Sequence, residues 1–287
     1  MACGAILRRT RFAPSPTGLL HLGHAHAALT ACERADPGQF LIRIEDLDPV
    51  RSKPAFEAAI FEDLGWLGLS WAQPVLRQSQ RQRIYATALK RLADLGLIYP
   101  CHCRRSDIRA AASAPNEGEP LTGPDGIVYP GTCRDRPMPD RPDGFTVRLN
   151  MALAWDGIRT APSFSETGPR HNGVHVLDKE CMVTDVGDVI LWRADTGAAY
   201  HLAVVVDDAA QGISEVTRGE DLFEATQIHV LLQALLELPT PNYHHHSLIR
   251  DDAGKRLAKR DDARALRSYR TAGLSPAEVR ALAGHSG

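Results

Sequence analysis

The chain has 287 residues, with 33 Lys and Arg against 35 Asp and Glu, a net charge of −2, 44% hydrophobic and 24% charged residues. These ordinary globular proportions exclude collagen-like, coiled-coil and disordered-tail classes, and the length suits two domains or one α/β unit with an insert. No run approaches the roughly 20 apolar residues of a bilayer-spanning helix, and MACGAILRRTRF has no signal-peptide core, so a soluble, cytoplasmic protein with no membrane contact is expected.

In chain order, residues 5–12 read as a strand, PSPTG as a turn and 20–35 as a helix ended by Asp36-Pro37-Gly38, with a buried strand at 39–44. This rhythm predicts a βαβ unit of a parallel sheet, with the functional loop at the carboxyl end of the first strand. Sheet-covering helices are predicted over 54–64 and 79–95, the second carrying Ile84, Leu89, Leu92 and Leu95 at helical spacing. The texture changes at CHCRRSD, and 97–181 reads as an insert between a first catalytic half (1–96) and a second (182–247), with a loop and short tail over 248–287. A strand is expected at 145–149 and another at 188–192, followed by a turn at Asp195-Thr196-Gly197. The β-branched run from Tyr200 to Val206 suits a central strand closed by Asp207-Asp208. An amphipathic helix is expected over 222–238 and a strand carrying His244, His245 and His246 between Pro241 and Ile249, where alternation splits the three imidazoles between faces. No function is assigned to that triplet, nor to Cys3, Cys32 and Cys181.

The sharpest feature is RFAPSPTGLLHLGHAHAAL. His21 and His24, three residues apart on the first turns of a helix, share one face, and a helix amino terminus offers unpaired N–H groups and a positive dipole end, a pocket suited to phosphate. The same spacing would serve two metal ligands, although no third lies nearby in sequence, or two solvent histidines. With a net charge near zero, any nucleic-acid partner has to be met by a local basic surface.

HLGH, preceded by RFAPSPTG, resembles the HIGH signature of class I aminoacyl-tRNA synthetases, and the longer block resembles their glutamyl subgroup. RIEDLDP at 43–49, AYHLAVVVDD at 199–208 and EVTRGEDL at 215–222 follow in that subgroup's order, and RLAKR at 256–260 resembles its KMSKS loop. The resemblance implies a Rossmann-type parallel sheet, with L-glutamate and ATP as substrates and Mg²⁺ accompanying ATP. It assigns His21, Gly23 and His24 to the phosphates on one side and Lys259 on the other. Stabilising the charge that spreads over the phosphoryl oxygens requires such positioned donors. Arg11 and Arg218 become the cations for glutamate's carboxylates, Glu45 the partner of its ammonium, Tyr200 a hydroxyl donor, and Ala13 and Ser15 loop contacts. Planar, bidentate recognition favours Arg over Lys at such positions. Taken alone, Glu45 could equally pair with Arg43, and Arg218 with a surface carboxylate. Ala258 and Arg256 depart from the KMSKS pattern, which removes a hydroxyl contact and keeps Lys259.

Six cysteines are too few for a disulfide-stapled fold, so clustered ones are read first as metal ligands. Cys101 and Cys103, two apart in an extended segment, face one side while His102 faces the other, and with Cys133 they leave a tetrahedral Zn²⁺ one ligand short. The resemblance offers Tyr129 in YPGTC as the fourth ligand of a single structural zinc. His102, or three reduced thiols without metal, remain open.

After the KMSKS-like loop the sequence has no counterpart of the helical domain that reads the anticodon in ordinary glutamyl enzymes. This matches shortened relatives that activate glutamate without tRNA and attach it to queuosine at the wobble position of tRNA(Asp). The resemblance thus implies an enzyme whose partner is the anticodon arm of that tRNA, and a monomer is expected. Its rivals are a shortened tRNA-charging enzyme, an activator of glutamate for another acceptor, and an RNA- or nucleotide-binding module that kept the fold without the chemistry.

Overall fold

A computed structural model describes residues 7–113, 121–139, 144–249 and 264–285. Cys3 and the KMSKS-like segment with Arg256, Ala258 and Lys259 lie outside the described residues.

The βαβ unit forms as expected. Strand β1 (Thr10–Phe12), helix α1 (Leu22–Arg34) and β2 (Phe40–Ile44) are followed by α2 (Pro54–Trp66) and β3 (Ala72–Arg77), and the three strands pair in parallel in the order β1-β2-β3. Helix α1 buries Leu22, Ala25, Ala28, Leu29 and Ala31, a stripe dominated by small residues that brings the helix close to the sheet. A 3-10 turn at Gln78–Arg81 leads into α3 (Gln82–Asp94). Its buried face is Tyr85, Leu89 and Leu92, whereas Ile84 and Leu95 of the expected stripe are exposed.

Between α3 and the second half lie β4 (Ile98–Cys101), α4 (Arg105–Ser113), the short pair β5 (Thr122–Gly123) and β6 (Gly126–Ile127), β7 (Thr146–Leu149), α5 (Met151–Asp156), β8 (Ser163–Glu166), β9 (Gly173–Val176) and α6 (Lys179–Cys181). A π-helical turn at Met182–Val186 precedes β10 (Ile190–Arg193) and β11 (Gly197–Ala198), a hairpin about the expected Asp195-Thr196-Gly197 turn. Strands β11-β10-β7-β4 make an antiparallel sheet, so β10, read above as part of the second half, pairs with the strands of the insert. Strand β8, read as insert, pairs in parallel with a strand of the second half.

One element corrects the sequence reading. Residues 200–206 are not a strand: Tyr200–Ala210 is a helix, α7. His201 through Asp208 are buried all along it, so it has no polar stripe, and a short apolar run buried all round carries no helical period for the sequence to reveal. Burial between β10, α3 and the following helix overrides the β propensity of Val204-Val205-Val206.

Strand β12 (Glu215–Gly219), helix α8 (Thr226–Leu235), shorter than expected, and β13 (Asn242–His246) complete the second half. The order β12-β13-β8-β9 makes its sheet, with β12 and β13 parallel. The carbonyl of Arg9, at the head of β1, accepts hydrogen bonds from the Ser214 and Glu215 amides, so the two parallel halves abut along β1 and β12. That junction is a topological switch point, where a doubly wound sheet opens a crevice at the carboxyl ends of its strands. Helices α9 (Leu266–Thr271) and α10 (Pro276–Leu282) close over α1 and α2. Among the described residues no helix is long and apolar enough to cross a membrane.

Candidate active site

Two cavities meet at the switch point and share Ser15 and Thr17 of the loop after β1. The first, of about 450 Å³, is walled by Ala13, His21, Gly23, His24, Gly219 and His246. The second, of about 370 Å³, is walled by Glu45, Gln78, Ala199 and Tyr200. The loop is fixed in place by backbone: the Glu45 amide donates to the Pro14 carbonyl and the Lys53 amide to that of Pro16. A Cβ on Gly219 would lie 2.5 Å from Asp221 Oδ1 and 2.9 Å from Leu248 Cδ2, so any other residue where β12 ends at the cavity would displace those two side chains.

The two histidines cap α1 reciprocally. His21 Nδ1 accepts from the Gly23 amide at 3.1 Å, and His24 Nδ1 accepts from the His21 amide at 3.2 Å, with ring centroids 3.8 Å apart. Both rings thus carry their proton on Nε2, and the pair stands at the positive end of the helix dipole. His26, one turn on, instead meets His285 of the tail at 2.9 Å and, edge to face, His246.

Behind the second cavity lies a buried charge network that sequence reasoning missed. Asp208 of α7 bonds Arg11 at 2.9 Å and Arg43 at 2.6 Å, and Arg43, fully buried, reaches back to Glu45 at 3.1 Å. Glu45 thus pairs locally with Arg43, as one reading allowed, and still walls the cavity. Burial pushes the Glu45 carboxyl up, with Arg43 and Arg11 opposing, while the same two arginines overcome burial at Asp208 and hold it down. Neighbouring Asp207 accepts from Gln78, Arg81 and Tyr85 and so anchors α7 to α3.

Arg218, on β12, has a different environment. It donates to His245 at 3.0 Å, His229 at 3.0 Å, Thr226 at 2.7 Å and the Tyr200 hydroxyl at 3.4 Å. Burial lowers the pKa of both histidines, so all four partners are uncharged near neutral pH. Each histidine is held from behind: His245 donates to Glu166 at 2.5 Å, and His229 meets His201, whose far nitrogen faces Asp125 at 3.3 Å. Arg11 thus faces a carboxylate, whereas Arg218 is held by neutral groups beside Tyr200. Neither arginine is on the wall of the two cavities; both stand one layer behind it.

These groups set a pH dependence. Burial lowers His246 to about 4 and also lowers His26, His229, His244 and His245 below the usual 6.5. Burial at Glu166 is outweighed by hydrogen bonds from the His245 ring and amide and the Gly168 amide, which hold its carboxyl at about 2. Between about pH 6.5 and 4 the unfolded chain binds more protons than the native one, so stability falls as pH drops, and Glu166 extends the loss below about 4.5. A thermal midpoint lower by several degrees at pH 5 than at pH 7.5 is the expected outcome, and a flat profile would contradict it.

Cys101, Cys103 and Cys133 converge, their sulfurs all within 4.8 Å of one another. The Tyr129 hydroxyl lies 3.4 Å from Cys101 Sγ and 3.3 Å from Cys103 Sγ, whereas the His102 ring packs toward Phe145. Cys103 and Cys133 Sγ are 3.6 Å apart, near the ~3.8 Å expected of two thiolates on one tetrahedral ion with Zn–S bonds of about 2.3 Å. Although burial opposes ionisation, hydrogen bonds to Tyr129 and the His102 backbone bring the Cys133 thiol down to about 7. The donor set fits zinc.

The family model for class I tRNA synthetases (E and Q), catalytic domain, matches residues 8–122 and 174–283. The glutamyl-Q tRNA(Asp) synthetase of Rhodobacter capsulatus is 60% identical over 96% of this chain and 99% of its own length. That of Nocardia farcinica is 43% identical over 95% of this chain and 82% of its own. A crystal structure of a glutamate tRNA ligase from Elizabethkingia meningosepticum superposes with a TM-score of 0.74 at 25% identity, over 97% of this chain and 60% of that one. With its HLGH-capped helix at the switch point of a parallel sheet, the chain belongs to the class I tRNA synthetase family, in its glutamyl-Q tRNA(Asp) synthetase group.

Proposed function

We propose that this enzyme activates L-glutamate with ATP, without tRNA, and transfers the glutamyl group to queuosine at the wobble position of tRNA(Asp). The observation that carries the reading is the pair of cavities joined at Ser15 and Thr17, one headed by a histidine-capped helix and the other by Glu45 and Tyr200 with Arg218 behind. ATP lies in the first, its phosphates against His21, Gly23 and His24, with Mg²⁺ on the phosphates. Glutamate lies in the second, its ammonium on Glu45 and its carboxylates toward Arg218, Arg11 and the Tyr200 hydroxyl, with Ala13 and Ser15 contributing loop contacts. The α-carboxylate attacks the α-phosphorus, a bond to oxygen forms, and pyrophosphate leaves. The helix dipole and the two Nε2–H groups stabilise the charge developing on the phosphoryl oxygens. Ile249 walls the phosphate cavity, and Ala265 bridges to His21. Lys259, outside the described residues, is the second phosphate contact that the resemblance implies. In the transfer step a queuosine hydroxyl attacks the glutamyl carbonyl, loses its proton, and AMP leaves.

The test is pyrophosphate exchange with purified protein. Exchange with glutamate in the absence of tRNA, and not with glutamine or aspartate, is the result expected; exchange that requires tRNA would favour a charging enzyme instead, and none at all a binding module.

Zinc, held by Cys101, Cys103, Cys133 and Tyr129, orders the antiparallel sheet and takes no part in the chemistry. Metal analysis is expected to find one zinc per chain and its loss in Cys133→Ser, with a lowered thermal midpoint; a metal-free native protein of equal stability would contradict this.

A further inference from the structure

A third cavity, of about 310 Å³, opens between α4 and β10 and is used by nothing above. Arg105 and Arg109 of α4, Arg148 of β7 and Arg193 of β10 face it. Its two carboxylates are already engaged: Asp188 by Arg134 at 2.6 Å, by the Tyr99 hydroxyl and by the Met151 amide, and Asp125 by His201 at 3.3 Å and the Ile190 amide. Four arginines thus face two carboxylates, one of which, Asp125, also interacts with Arg193, so among the described residues the wall carries an excess of positive charge. Arg148 is 6% exposed, lies 4.0 Å over the Tyr129 ring and donates to the Asp188 carbonyl at 2.7 Å, while its buried Nε has no partner among the described residues. A buried guanidinium with an unmet donor is a costly arrangement for a wall with no ligand.

The position of the cavity matters as much as its charge. Arg105 and Arg193 also border the cavity that holds Glu45 and Tyr200, so the two chambers are neighbours. A nucleotide whose base enters the Glu45 and Tyr200 chamber to reach the glutamyl carbonyl must leave its own backbone outside, and the adjoining arginines are within its reach. In a chain of net charge −2, an RNA partner has to be met by a local basic surface, and this wall offers one.

We propose that this cavity binds the sugar–phosphate backbone of the RNA substrate, taking one or two phosphodiester groups beside the nucleotide that receives glutamate. The assignment rests on the reading of the substrate given above. Arginine forks suit phosphate oxygens, and such contacts position the RNA without reading its sequence.

The test is binding of an anticodon stem-loop of tRNA(Asp), made with queuosine or with guanosine at the wobble position, across a salt series. Arg105→Glu and Arg109→Glu are each expected to weaken both stem-loops about tenfold and to make the dependence of log Kd on log salt shallower by about 1. Arg109→Glu, which borders only the third cavity, leaves glutamate-dependent pyrophosphate exchange unchanged. Unaltered affinity and salt slope overturn the proposal, as does a native protein that binds neither stem-loop. A variant that loses affinity for inorganic pyrophosphate while keeping the stem-loop overturns it too, in favour of a free-anion pocket. Failure of native exchange with glutamate would strike the proposed reaction and leave the binding comparison standing.

Discussion

Arg218→Ala is expected to lower kcat/KM for glutamate in pyrophosphate exchange by about 100- to 1000-fold, the cost of truncating one partner of a buried charge pair. The loss should fall mainly on KM if the arginine binds substrate and transition state alike. Arg11 and Arg43 share Asp208, whereas Arg218 is held by two neutral histidines, a threonine and a tyrosine and so presents an uncompensated charge. Arg218→Lys should be nearly as poor, because an ammonium cannot span Thr226, His229 and His245 in one plane. The discriminating readout is glutamine: the variant should lose the preference for glutamate, and retention of that preference would remove Arg218 from recognition of the side-chain carboxylate.

Asp208→Asn is expected to destabilise the fold by about 3 to 5 kcal/mol, lowering the thermal midpoint by roughly 10 °C, because it removes a carboxylate shared by two buried guanidinium groups. Arg43 would keep Glu45 and Gln211, but among the described residues Arg11 would retain only the Thr217 carbonyl at 3.2 Å. Removing the exposed Lys90 partner of Asp94 serves as the control and should leave the midpoint unmoved. A midpoint within a degree or two of the native value in Asp208→Asn would mean that the network is not what joins α7 to β1 and β2.

How far the sequence could be read follows from where its signals lie. The blocks RFAPSPTGLLHLGHAHAAL, RIEDLDP, AYHLAVVVDD and EVTRGEDL are local patterns, and their resemblance to the glutamyl subgroup is what singled out Arg11, Glu45, Tyr200 and Arg218. The structure brings them close through residues with no local signature. Asp208 meets Arg11 and Arg43 across 197 and 165 positions, and Glu166 meets His245 across 79. The histidine triplet offered only alternation, and its division proved real: His245 supports Arg218, His244 contacts Thr167 and His246 walls the phosphate cavity. Helix α7 was misread because burial on all sides removes the polar stripe by which a helix is recognised, leaving β-branched valines as the only signal. The cysteines were legible from spacing and Tyr129 from the resemblance, with His102 left open; the turn that carries Cys133 back to β4 sets the Tyr129 hydroxyl beside the sulfurs, while the His102 ring packs toward Phe145.

The most direct test of the central claim is where glutamate ends up. Queuosine-containing tRNA(Asp) is incubated with the enzyme, ATP and labelled glutamate, treated with mild base or left intact, then digested to nucleosides and resolved by mass. The account predicts the label on the wobble queuosine and none on the 3′-terminal adenosine, with tRNA carrying guanosine at that position unlabelled. Label on the 3′-terminal ribose would contradict it and identify a charging enzyme.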